Sequence, residues 1–134
     1  MQLPSVLSYE DVRAVSPALE YYMEGPLMSG LWKRPELSPR DRSVVTVAAL
    51  IARIQAIEMP FHFSLALDNG LEPAELSEIV THLAFYSGWA NAMSAVAVAK
   101  DIFLARGLGI GHLPPAKEML LPLMRRQSPN VSHR

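Results

Sequence analysis

The sequence predicts an all-α protein, and three observations carry that expectation. Helix-start and helix-stop signals recur, with Ser38-Pro39-Arg40-Asp41 and Asn69-Gly70 followed by Pro73 and Glu75 as the sharpest. Apolar residues return at helical spacing, as in Leu76, Ile79, Val80, Leu83 and Ala84. Strand signals are nearly absent. At 134 residues, the prior is one domain covering 1–134. A hydrophobic content of 50% against 19% charged supports a real core and leaves apolar surface to bury in a homo-oligomer.

In chain order, Ser8 with Glu10 and Asp11 reads as an N-cap with acids in the first turn, opening a helix through Tyr22. Pro17 must kink or split it. "EGPLMSGLWKRPE", residues 24–36, carries two glycines and two prolines and reads as an irregular connection. Ser38 then caps a helix whose first position is Pro39 and whose first turn holds Asp41. Val44 to Ile54 is apolar on nearly every face, which suits a central helix.

Pro60 follows inside an apolar pattern, where an interior proline costs about 3 kcal/mol. In a first turn it costs almost nothing, because the N–H groups there have no intrahelical partner. The long helix is therefore expected to stop near Arg53 to Gln55, and a new one to start at Ala56 to Glu58. Asn69-Gly70 ends it, with Gly70 left-handed. Pro73 and Glu75 open the next helix, and Ser87-Gly88 breaks it. "WANAMSAVAVAKDIFLARG" forms a last helix whose alanines allow close approach, within the subunit or between subunits. Beyond Gly111, "LPPAKEMLLPLMRR" has the pattern of one short helix, and the end of the tail, 112–134, is expected to be partly flexible.

Several function classes are excluded. Without cysteine there is no disulfide, thiol redox chemistry or cysteine metal site, and no metal is expected. Net charge is −1, and Arg125-Arg126 is too short a basic run for a nucleic-acid footprint. No apolar stretch suits a membrane span, and the N-terminus lacks a signal-peptide pattern, so a cytoplasmic protein is expected.

The chemistry-bearing pair is Glu58 and His62, four apart at the start of the new helix. The positive end of the helix dipole favours a bound anion and disfavours imidazolium. Glu58 pulls the other way and would set the tautomer. The competing reading is a hydrogen-bonded structural histidine beside a solvated helix-start acid. The methionines Met59, Met93, Met119 and Met124 read as packing.

"LSPRDRSVVTVAALIA" and "EMPFHFSLALDNGLEPAELSEIVTHLAFYSGWANAMSAV" resemble the carboxymuconolactone decarboxylase family, of the alkylhydroperoxidase D-like fold, over residues 37–104. The resemblance rests on the arginine-rich helix start, the Glu-x-x-x-His step, the Asn-Gly turn, and the segment with Tyr86, Gly88 and Trp89. It implies an oligomeric helical bundle, a trimer or dimer of trimers, in aromatic compound catabolism. The peroxidase branch places two cysteines where this chain has Gln55 and Glu58, and a relay glutamate where it has Ser43, so thiol peroxidase activity is excluded. The decarboxylase branch implies loss of carbon dioxide from a small carboxylated lactone or enolisable acid without a cofactor. His62 would then be the acid/base, Glu58 its orienting partner and Arg42 a carboxylate anchor. His82, Tyr86 and Trp89 would line the substrate cavity. For Arg42 a salt bridge, for His82 a bond to a neighbouring helix, and for Tyr86 and Trp89 core or interface packing remain alternatives. So does a non-catalytic helical oligomer with a binding or scaffold role, which Ser43 favours.

Overall fold

A computed structural model describes residues 7–109, 111, 113–116 and 120–123. Six α-helices follow one another: α1 Tyr9–Val15, α2 Pro17–Tyr22, α3 Pro39–Ala52, α4 Met59–Asp68, α5 Pro73–Tyr86 and α6 Trp89–Ala105. No strand occurs among the described residues.

Local chemistry explains most boundaries. Ser8 and Asp11 exchange side-chain to backbone hydrogen bonds at the start of α1, a reciprocal cap. At Pro17 the predicted kink is a full split, with Ser16 capping α2 through the Leu19 N–H at 3.3 Å. Ser38 accepts from the Asp41 N–H at 3.0 Å and Pro39 takes the first position of α3. Gly70 leaves α4 at φ 101°, in the left-handed region, as expected. Glu75 reaches back to the Glu72 N–H at 3.0 Å and fixes the start of α5.

Residues 24–36 differ from the expectation of an irregular connection. α2 runs on into a π-helical segment, Met23–Gly30, and then a 3₁₀ turn, Leu31–Lys33. The wide turns surround Pro26, which cannot donate a hydrogen bond and would clash with the carbonyl four residues before it in an α-helix.

The core lies among α3 to α6. Val47 and Ile51 of α3, Met59, Phe63 and Ala66 of α4, Leu76 and Val80 of α5, and Ala92, Ala95, Ala99 and Phe103 of α6 are buried in one cluster. α3 packs against α4, α5 and α6, which fits its central reading, although Val45 faces outward. The alanine stripe of α6 is spent inside the subunit, against α4 and α5. α1 and α2 bury no apolar side chain; Glu20 is their buried residue, held by Arg13 at 3.0 Å. Met93 is exposed, unlike the buried Met59. In the expected C-terminal helix, residues 113–116 and 120–123 are not helical, and its remainder lies outside the described residues. Met119 and Met124 also lie outside them.

Candidate functional site at the start of helix α4

The site begins with the break between α3 and α4. Arg53 caps α3, and Ile54 swings into the left-handed region at φ 53°. The Gln55 N–H closes the turn on the Leu50 carbonyl at 2.9 Å. A β-branched residue there is strained, by about 1–2 kcal/mol. Chain reversal is thus achieved without glycine. Glu58 is the N-cap of α4 and Pro60 lies in its first turn, where its missing N–H is harmless.

Met59, Phe63 and Ala66 turn their side of α4 into the core. His62 stands at the edge of that stripe, its side chain 11% exposed against 53% for Glu58. Its Nε2 lies 3.7 Å from Glu58 Oε2, an electrostatic contact rather than a full hydrogen bond. The Trp32 indole stacks on the imidazole, centroids 5.9 Å apart and planes at 18°. The Phe61 ring meets it edge-on at 5.0 Å. Burial holds the His62 pKa below the ordinary imidazole value, and Glu58 opposes that shift. The direction agrees with the sequence reading, but desolvation is the leading cause.

Trp32 is carried by the 3₁₀ turn, and Arg42 of α3 donates through Nη2 to the Arg34 carbonyl two residues on, at 3.1 Å. Arg42 Nε and His62 Nδ1 are both buried without a hydrogen-bond partner among the described residues. Ser43, fully buried, accepts from Asn69 Nδ2 at 3.0 Å and so ties α3 to the end of α4.

The other anticipated residues stand elsewhere. His82 lines a groove of about 480 Å³ between α3 and α5, with Arg40, Val44, Ile79 and Leu83. Tyr86 stacks on His82 at 4.8 Å. Neither Glu58 nor His62 lines this groove. Trp89 is exposed at the start of α6. A second groove, about 330 Å³, runs along α4 from Pro60 and Phe61 to Asp68, with Ile102 opposite. The sequence pattern does not single out Trp32; its available signal is an aromatic between Gly30 and Arg34-Pro35. Among the described residues, no three His, Asp or Glu side chains converge as metal ligands.

Residues 17–101 match the family model described as Carboxymuconolactone decarboxylase family. The chain belongs to this family. It is 34% identical over 80 residues to 4-carboxymuconolactone decarboxylase of Acinetobacter baylyi, covering 60% of this chain and 58% of that protein. It is 31% identical over 70 residues to nitrosuccinic acid decarboxylase of Metarhizium robertsii, covering 52% and 49%. The matched segment thus spans about half of each relative's length. Among the described residues, no helix is long and apolar enough to cross a membrane.

Proposed function

We propose that this chain is a cofactor-independent decarboxylase, or a related lyase or isomerase, acting on a small carboxylated lactone or enolisable acid. The observation that carries it is His62: a desolvated imidazole in contact with two aromatic rings at a helix start, its Nε2 facing Glu58. Both named relatives remove carbon dioxide from an acid with an electron-withdrawing group, a lactone in one and a nitro group in the other.

In such a reaction the carbon–carboxylate bond breaks, carbon dioxide leaves, and the electron pair moves into the adjacent acceptor. The carbon must then take a proton. His62 supplies it in its protonated form, and Glu58, which faces Nε2, stabilises the imidazolium that forms on recharging. Arg42 Nε, a buried donor without a partner among the described residues, suits a carboxylate, which is acceptor-only when ionised. His82, Tyr86 and Trp89 belong to the other faces and fit substrate contact only where a neighbouring subunit brings those faces to His62.

The protein works, in this reading, as a cytoplasmic homo-oligomer, a trimer or dimer of trimers. The exposed Phe85, Tyr86, Trp89 and Met93 on α5 and α6 support assembly, as does the unburied apolar surface of α1 and α2. Sedimentation at micromolar concentration reads it directly, and a monomer there removes it.

One observation favours a second reading, a non-catalytic oligomer with a binding or scaffold role. Ser43, at the position where many relatives carry a relay glutamate, is committed to Asn69. The test is a panel of carboxylated lactones and nitro- or keto-acids, followed by NMR for carbon dioxide loss and solvent deuterium uptake. His62→Gln should keep the fold and lower turnover by roughly 100-fold or more. Glu58→Gln should act in the same direction more mildly. Full turnover in a folded His62→Gln protein ends the catalytic assignment.

A further inference from the structure

We propose that Trp32 is a positioning residue for His62: the indole fixes the plane of the imidazole so that Nε2–H points at Glu58, and Arg42 latches the turn that carries the indole. The inference rests on the reading of His62 as the proton-transfer group.

The geometry supports each part. Trp32 and His62 lie nearly parallel, and Phe61 closes a further side of the imidazole edge-on. A ring stacked on one aromatic and met at right angles by another has little freedom about its second side-chain torsion, which is otherwise broad. The half-buried indole also covers imidazole surface, and burial is the larger of the two influences on the His62 pKa. Nδ1 is buried and without a partner among the described residues, whereas Nε2 faces a carboxylate. A carboxylate accepts and does not donate, so the neutral form that suits both sites carries its proton on Nε2.

The indole is itself held. The Arg34 N–H closes the 3₁₀ turn on the Leu31 carbonyl at 3.2 Å, and Arg42 Nη2 grips the Arg34 carbonyl from α3. Glu58 is the charged group that acts on the imidazole, from α4. Arg42 is engaged by the Arg34 carbonyl, and the Arg34 guanidinium pairs with Glu36 at 3.2 Å. A π-helical segment, Met23–Gly30, leads into the turn, and π turns are frequent at functional sites. The Leu31 N–H also bonds back to the Leu27 and Pro26 carbonyls, so the turn is held at both ends and the indole with it.

The test is nitrogen-15 and proton NMR of the substrate-free full chain, with the His62 resonances assigned by their loss in His62→Gln. In the wild-type protein the ring carbon-bound protons of His62 should lie upfield of ordinary imidazole positions, shifted by the indole. Its neutral form should be the single Nε2–H tautomer. Trp32→Leu, which keeps apolar bulk and removes the aromatic plate, should abolish the upfield shift, mix the tautomers and raise the midpoint towards 6.5, the ordinary value. Trp32→Phe should restore most of the wild-type pattern. Unshifted His62 protons in the wild-type protein overturn the proposal without any variant. So does a Trp32→Leu protein whose His62 tautomer and midpoint match wild type. These readouts need no turnover: an active His62→Gln protein would end the decarboxylase reading and leave the indole–imidazole coupling measurable, whereas unchanged His62 resonances would end this inference alone.

Discussion

Ser43→Ala separates architecture from chemistry at the position where the family resemblance implies a relay glutamate. Ser43 is 1% exposed, and its Oγ accepts from Asn69 Nδ2 at 3.0 Å. Removing the hydroxyl deletes one hydrogen bond and leaves that amide with a longer contact, 3.4 Å to the Pro39 carbonyl. The second acceptor keeps the amide from being orphaned, so the cost is the net worth of one hydrogen bond, about 1 kcal/mol. For a chain of this size that lowers Tm by roughly 4 °C. The alanine methyl fits the vacated space, so no cavity term is added. Thermal and denaturant unfolding, with turnover on the same preparations, check both halves. Turnover per folded protein should stay within about twofold, because the hydroxyl serves α3 and the end of α4 rather than the proton on His62. A loss of turnover beyond roughly tenfold with Tm unchanged would refute this, since it is the scale of losing a group that moves or holds a proton.

Two further outcomes are expected. Ile54→Asn should raise stability by about 1 kcal/mol, read as a higher denaturation midpoint, because asparagine enters the left-handed region with less strain than a β-branched residue. The lowered pKa of His62 means that the unfolded chain binds more protons than the folded one between the folded value and 6.5. This histidine's contribution to stability is therefore full above pH 6.5 and is lost as pH falls from there through the folded value, a slope that His62→Gln should flatten in parallel urea titrations.

Much of this fold was legible because its decisive signals are local. Ser38 and Pro39 define the start of α3 through one side-chain acceptor and one missing N–H, with no need of a partner helix. Pro60 marks the helix break for the same reason, and Gly70 the end of α4. Residues 24–36 were not legible, because glycine and proline frequency does not distinguish a loop from a widened helix. That distinction depends on which carbonyl each N–H finds. At the site, the Glu58–His62 spacing alone implied a shared face, and the neutral tendency of His62 followed from its place on a helix. Burial dominates it, and the Trp32 indole stacked on the ring, thirty residues upstream, is a contact that no periodicity within α4 encodes. The same limit applies to His82 and Tyr86. Helical spacing put them together, and they do stack, but which groove they face is decided by packing against α3.

The segment 53–58 between α3 and α4 also bears on how this chain can change over generations. One residue added inside either helix rotates everything beyond it by about 100° and swings an apolar stripe away from the core. One residue added between Ile54 and Ile57 disturbs neither stripe. Length drift is therefore cheapest there, beside the site rather than far from it. Glu58 and His62 would travel through such an event as a unit, both being fixed to the same first turn of α4. Trp32 and Arg42 would stay behind with α3. Insertions at this joint would preserve the acid and the base in mutual register while exchanging the aromatic surface set over them, a way for descendants to retune one imidazole without touching it.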